Sequence, residues 1–314
     1  MIRPVELPAD VAPALQARLG DAVSLDTPTA DLTTYRLGGP AAVLVRATSE
    51  SALRDITAVL HDHDVPVLVV GRGSNLLVAD RGFSGVVVVL DGDFGSVDLD
   101  GDHVVAGGAV ALPRLARQAA AAGRSGLEFY VGIPGTVGGA VRMNAGGHGR
   151  ETRDVLVSAR VLDLRGDGDP RRRSVDELDL GYRHSSLRAG DVVVDAVLRV
   201  GRADPAACRA RIDEIVEWRR EHQPGGANAG SVFRNPPGDS AGRLIESCGL
   251  KGFRVGGAVV SPKHANFFQA EIGATADDVH GLVLDVREQV ERATGIRLDP
   301  ELQMVGFDEE DEGA

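Results

Sequence analysis

Gly132-Ile133-Pro134-Gly135-Thr136-Val137-Gly138-Gly139-Ala140 runs on to Asn144-Ala145-Gly146-Gly147, and it is the more telling of two glycine-rich segments in the chain. So much glycine costs conformational entropy on folding, and a flexible linker would be more polar and serine-rich. Ile133, Pro134 and Val137 instead point to an irregular loop, 132–149, with its backbone pressed against a large planar or extended ligand. A second glycine loop, Gly71-Arg72-Gly73-Ser74-Asn75, follows a β-rich run at 65–70. Its N–H groups suit a pyrophosphate, with Ser74 and Asn75 adding donors. It is no Rossmann fingerprint, because Leu76 stands at the third glycine position, and no Walker loop, because no Gly-Lys-Ser/Thr follows. Alone it reads equally well as a tight turn. Two such loops at strand ends in successive subdomains read together as a site for one dinucleotide.

Working outward, 41–46 reads as a strand and 51–61 as a helix with Leu53, Ile56 and Leu60 on one face and Ser49 as its cap. With 65–70 these form a β-α-β unit that opens into the first glycine loop, and 86–90 adds a buried strand. A second region begins near Gly92: a strand at 104–106, then a helical stripe of Leu112, Leu115, Ala116 and Ala119 stopped by Gly123. Strands resume at 155–164 and 192–200, with Arg171-Arg172-Arg173 as a solvated hairpin or loop tip between them. A third region starts near Ala203. Cys208, Ile212, Ile215 and Val216 share a helix face on which Arg219 also falls, so that cation either snorkels or aims at a ligand. Val279, Leu282, Val283, Val286 and Val290 make another stripe behind a Thr275/Asp278 capping box, and a last strand lies at 302–305.

Bulk properties narrow the classes. At 314 residues, with 43% hydrophobic and 25% charged residues, the chain is an ordinary folded protein of two or three subdomains. Its net charge of −12 argues against broad nucleic-acid binding. Two cysteines without metal spacing, and His61 and His63 beside Asp62 and Asp64, lead us to expect no metal site. The opening residues Met1–Glu6 carry no apolar targeting segment, and no window is apolar enough to span a bilayer, so a cytoplasmic protein without a membrane partner is expected. The like-charge stretch 308–314 is expected to be a disordered acidic tail.

The candidate chemistry centres on Gly225-Gly226-Ala227-Asn228-Ala229-Gly230-Ser231-Val232-Phe233-Arg234-Asn235-Pro236, where small residues precede one hydroxyl and a rigid proline follows it. Such a segment poses Ser231 against a ligand, although a surface turn would be the default were it alone. Tyr182-Arg183-His184-Ser185 sets a cation beside an aromatic ring, and Leu298-Asp299-Pro300-Glu301-Leu302 sets a carboxylate at the start of the last strand. Taken singly, Arg183 is a surface ion pair and Glu301 an exposed strand residue.

Together and in this order, TTYRLGGP at 33–40, GRGSN at 71–75, GIPGTVGGA with NAG at 132–146, YRHS at 182–185, NAGSVFRNP at 228–236, GLKGFRVGGAVVSPKHANF at 249–267 and LDPEL at 298–302 resemble the UDP-N-acetylenolpyruvoylglucosamine reductase family. The resemblance spans roughly 20–307 and fits the compact type that lacks an inserted tyrosine loop. It implies an α+β architecture: a two-subdomain FAD-binding fold of the vanillyl-alcohol-oxidase type (1–91 and 92–202) with a C-terminal α+β substrate-binding domain (203–307). It implies tightly but non-covalently held FAD, near Tyr35, Arg36, Gly71, Gly73, Ser74 and Asn75, and along Gly132, Ile133, Pro134, Gly135, Gly138, Asn144, Ala145 and Gly146. NADPH is the implied electron donor and a UDP-sugar the implied substrate, with the protein acting as a monomer. Arg183 and Glu301 are implied beside the substrate carboxylate, Glu301 with a raised pKa, and Ser231 as the proton donor. Asn235 and Arg219 are implied substrate contacts. Arg142 and His148 stand where the family often has tyrosine, and His222 where it often has lysine, so altered local packing is expected there. Two rivals stay open: another FAD oxidoreductase of the same fold, and a non-catalytic dinucleotide-binding module. A serine hydrolase is excluded because Ser231 lies in no GxSxG elbow.

Overall fold

The computed structural model describes residues 7–99 and 101–307; Met1–Glu6 and the acidic stretch 308–314 lie outside the described residues. The chain divides into two compact units, each assembled from separated segments. The first takes the described part of Met1–Thr27 with Ala42–Arg72 and Ser84–Trp218. The second takes Pro28–Ala41, Gly73–Phe83 and the described part of Arg219–Ala314.

In the first unit, valine-rich runs form a four-stranded sheet in the order Val23–Pro28, Pro40–Ala47, Phe83–Leu90, Val67–Val70. Val67–Val70 lies parallel to Phe83–Leu90, with Val67 opposite Val86. Helix Glu50–Leu60 begins where the sequence implies, because Ser49 Oγ accepts the Ala52 N–H and replaces an otherwise unmade helical bond. Its Leu53, Ile56 and Leu60 are buried in one core with Val43, Val45, Val86 and Val88. A five-stranded antiparallel sheet follows, in the order Arg171–Ser174, Leu156–Asp163, Asp191–Arg199, His103–Gly107, Val97–Asp98. Helix Leu112–Ala121 buries Leu112, Leu115, Ala116 and Ala119 in that sheet's core and is followed by Gly123 at φ 67°.

Two sequence expectations change here, and one pair of alternatives is decided. Arg171-Arg172-Arg173 is the largely exposed second strand of a hairpin with Leu156–Asp163, at the sheet edge, and not its tip: Arg172 Nη1 donates to Ser158 Oγ on the neighbouring strand, and Arg173 reaches toward Asp191. A row of cations along a sheet edge discourages pairing with another chain. The stretch 132–149 is only partly irregular, since Val137–Met143 is a helix. Thr136 caps it through the Gly139 N–H, and burial of Val137, Ala140 and Val141 outweighs the poor helix propensity of Gly138 and Gly139. On helix Pro205–His222, Cys208, Ile212 and Ile215 are buried as expected, but Val216 is 40% exposed and leaves the stripe.

The second unit packs helix Ala276–Thr294 and helix Ala241–Ser247 with a three-stranded antiparallel sheet, Arg254–Val255, Ala258–Val260 and Phe268–Ala270. The long helix carries the anticipated reciprocal Thr275/Asp278 capping box, ends at Gly295 in the left-handed region, and buries Val279, Leu282, Val283, Val286 and Val290. Leu76–Val78, just after the first glycine loop, pairs in parallel with Gln303–Val305. Among the described residues no helix is long and apolar enough to cross a membrane.

Candidate active-site residues in the two units

The long glycine stretch of the first unit is pinned from behind. Gly135 O accepts the Leu112 N–H, while the Val137 and Gly138 N–H groups donate to Val110 O and Gly108 O. Gly71 needs its missing side chain for packing, because a Cβ there would stand 2.5 Å from Thr136 Oγ1. These contacts leave a cavity of about 130 Å³ walled by Val69, Val70, Leu90 and Val193, with Gly138 and Asp191 also lining it. Asp191 is buried. Its Oδ2 accepts the Arg188 N–H at 2.8 Å, whereas Oδ1 has no hydrogen-bond partner among the described residues. Nothing in the local sequence marks Asp191 as a site residue, since Ala189-Gly190-Asp191 reads as a turn entering a strand.

After Met143 the chain turns at Asn144, which is fully buried in the left-handed region at φ 41°. Its amide is a brace for three segments: Nδ2 donates to Glu151 Oε2 at 2.9 Å and to Gly181 O at 2.8 Å, and Oδ1 accepts the Arg153 N–H. Gly146–Gly147 and Arg150–Glu151 then form a hairpin whose corner residues, His148 and Gly149, both have positive φ, the geometry of a type I′ turn. Gly147 and Gly149 have open space where a Cβ would point.

Gly181 O, which Asn144 holds, begins the turn that carries Arg183. Gly181 and His184 exchange both backbone hydrogen bonds, and Arg183 takes φ 53° at the corner between them. Its guanidinium lies 5.0 Å from the Tyr182 ring centre and donates through Nη2 to Gly146 O at 3.4 Å. Arg183, Tyr182, Arg150, Arg153, Glu151 and Gly147 line a cavity of about 510 Å³. Three guanidiniums against two carboxylates, Glu151 and Asp154, leave a small positive excess that suits an anionic ligand despite the chain's negative net charge.

In the second unit the segment that carries Ser231 is held between two others. Ser231 bridges Phe267, and Phe233 bridges Pro300. The Val232 N–H donates to Asn266 O, and Val232 O accepts the N–H groups of Glu301 and Leu302 at 2.7 and 3.2 Å. Ser231 and Glu301 therefore sit on backbones locked together at Val232. Asn75 fixes the Glu301 side of this arrangement: its Nδ2 donates to Glu301 O and its carbonyl accepts the Gln303 N–H. Gly73 lets its loop close on Leu32, since its φ is 54° and a Cβ would meet Leu32 O at 2.1 Å.

Asn266 fixes the other side. It is buried, and its side chain both accepts from Phe233 N and donates to Phe233 O, at 2.9 and 2.8 Å. Asn266→Ala leaves two buried backbone groups without those partners, and we expect roughly 2–4 kcal/mol of destabilisation. A urea-unfolding free energy that falls by less than a quarter of that loss would show that Phe233 finds other partners.

Other sequence candidates have local structural employment. Tyr35 is buried in the core of the second unit, and that burial pushes its hydroxyl above the ordinary tyrosine range. Arg36 is exposed at φ 57°. Asn235 Oδ1 accepts the Ala241 N–H at the start of helix Ala241–Ser247. Arg219 is half-buried, its Nε donates to Gln223 Oε1 at 2.7 Å, and burial lowers its pKa. Sequence reasoning did not single out Asp191 or Asn266, and it read Asn144 and Asn75 as cofactor contacts only.

Two family profiles match the chain: an FAD binding domain over residues 41–172, and the C-terminal domain of UDP-N-acetylenolpyruvoylglucosamine reductase over 222–305. The UDP-N-acetylenolpyruvoylglucosamine reductase of Nitrobacter winogradskyi is 44% identical over 305 residues, which is 95% of this chain and 98% of that protein. Its counterpart in Bacillus velezensis is 41% identical over 282 residues, 89% of this chain and 92% of that protein. Among solved structures, UDP-N-acetylenolpyruvylglucosamine reductase from Thermus caldophilus superposes with a TM-score of 0.77 at 37% identity, covering 90% of this chain and 98% of that one.

Proposed function

The chain belongs to the UDP-N-acetylenolpyruvoylglucosamine reductase family, and from that premise we propose how its own residues carry the reaction. It is an FAD-containing oxidoreductase that uses NADPH to reduce UDP-N-acetylglucosamine enolpyruvate to UDP-N-acetylmuramate for peptidoglycan synthesis. The residues fit the flavin: open space stands over Gly147 and Gly149, and the cavity beside Gly138 combines apolar walls with Arg72, Thr136, Arg142 and a buried carboxylate whose Oδ1 still needs a donor. We read residues 1–91 and 92–202 as its two binding subdomains and 203–307 as the substrate domain.

The chemistry supplied by bound FAD is hydride transfer, taken from NADPH and delivered to the terminal carbon of the enolpyruvyl group. Negative charge then grows on the adjacent carbon and spreads into the substrate carboxylate. Arg183 stabilises that charge with a planar guanidinium, already oriented by the Gly146 carbonyl and the Tyr182 ring. Glu301 assists at the same carboxylate, a role that requires it to be protonated or strongly hydrogen-bonded. Ser231 gives its proton to the carbanionic carbon; a serine is a weak acid, but a strongly basic carbanion needs only a correctly posed donor. The observation that carries this reading is the lock at Val232, which fixes the serine and the glutamate on adjoining backbones. Asn235, at the diphosphate or the carboxylate, and Arg219 are further substrate contacts. The enzyme works as a cytoplasmic monomer on this small molecule, with no nucleic-acid or membrane partner.

Anaerobic NADPH oxidation by the purified protein tests the reading. Sustained turnover is expected only when the enolpyruvyl sugar is present. Stoichiometric flavin reduction that then stalls would overturn the substrate assignment while leaving the flavin site intact.

A further inference from the structure

We propose that the Asp191 carboxylate anchors the adenosine half of FAD by accepting an N–H or O–H of that half through Oδ1. The inference rests on the FAD reading above and adds a residue to it. A buried carboxylate oxygen with no partner costs stability, so its retention calls for a donor that arrives with a ligand. The neighbouring groups are already committed elsewhere. Asp191 Oδ2 takes the Arg188 N–H, with Arg173 Nη1 at 3.8 Å. Arg142, which lines the same cavity, donates through Nη1 to the carbonyls of Leu187 and Arg188 at 3.1 and 2.9 Å.

The cavity also selects which half of the dinucleotide enters. At about 130 Å³, with apolar walls of Val69, Val70, Leu90 and Val193 and polar groups of Arg72, Thr136, Arg142 and Asp191, it suits one flat ring or a sugar with polar edges and no second guest. The reacting flavin ring must meet both NADPH and the enolpyruvyl sugar, so the adenosine half is the part that so small a cavity serves. Glycine at 138 keeps the facing backbone bare of side chain.

The test is ligand affinity of the flavin-stripped protein, followed by flavin fluorescence quenching, with thermal melts of the same samples. Asp191→Ala should raise the Kd for FAD roughly 10- to 100-fold, the range for a hydrogen bond to a charged group. ADP should lose its competition with FAD by a similar factor, while riboflavin affinity stays unchanged. Arg173→Ala, which touches only the Oδ2 side, should leave the FAD Kd within about twofold of wild type. Asp191→Asn keeps the side-chain volume and supplies the same comparison if the alanine variant does not fold. An unchanged FAD Kd in a folded Asp191 variant, with only a lowered melting temperature, would overturn the proposal. So would a loss confined to riboflavin. Failure of the wild-type protein to bind FAD would instead overturn the reading on which the proposal rests.

Discussion

Ser231→Ala is expected to leave reduction of the bound flavin by NADPH nearly intact and to slow its reoxidation by the enolpyruvyl sugar by about 10²–10⁴-fold, the range for loss of a positioned general acid. The substitution removes one oxygen and nothing else that holds the segment. The bridge from Ser231 to Phe267 and the hydrogen bonds of Val232 to Asn266, Glu301 and Leu302 all run through backbone atoms. Stopped-flow measurement of the two half-reactions separates the roles cleanly. Loss of both would mark Ser231 as structural, and full retention of both would remove it from the mechanism.

Arg183→Lys should lower kcat/KM about 10²-fold with flavin content unchanged. Lysine keeps the charge but presents a compact ammonium on a flexible stem, so it cannot reproduce a planar fork held by the Gly146 carbonyl and the Tyr182 ring. The backbone does not confound this comparison. Residue 183 sits at φ 53°, which is equally strained for arginine and lysine, whereas glycine would relax the turn as well as delete the cation. Steady-state kinetics against the enolpyruvyl sugar, with the flavin spectrum recorded in parallel, reads the effect. Near-normal turnover by the lysine variant would exclude directed carboxylate recognition by Arg183.

What was legible in the sequence obeyed local rules. The Ser49 cap, the Thr275/Asp278 box, the Leu53/Ile56/Leu60 stripe and the valine runs each depend on neighbours within one turn or one strand, and the structure has them where they were read. The motif order carried the family and, with it, the FAD-binding fold and C-terminal domain. Local rules failed where tertiary packing overrides them. Gly138-Gly139 disguises the helix Val137–Met143, and for Arg171-Arg172-Arg173 the chain alone does not choose between a hairpin strand, which it is, and a loop tip. Val216 has the right helical phase but faces solvent because burial on that helix is confined to Cys208, Ile212 and Ile215. The bracing roles of Asn144, Asn266 and Asn75 and the burial of Asp191 were out of reach for a different reason. Each depends on a specific partner brought close by the fold, and no spacing in the chain encodes a pair such as Asn75 and Glu301, 226 residues apart.

That last separation also bears on how the protein is made. The strand Leu76–Val78 leaves the ribosome early, yet its parallel partner is Gln303–Val305. At elongation rates of roughly 5–20 residues per second, the earlier strand waits on the order of ten to forty seconds for its mate. During that interval Leu76, Leu77 and Val78, all buried in the finished fold, present an open apolar edge to the crowded cell. The second unit is thus a late event in biogenesis, and a nascent chain arrested before residue 303 is a natural client for a chaperone that shields unpaired strands.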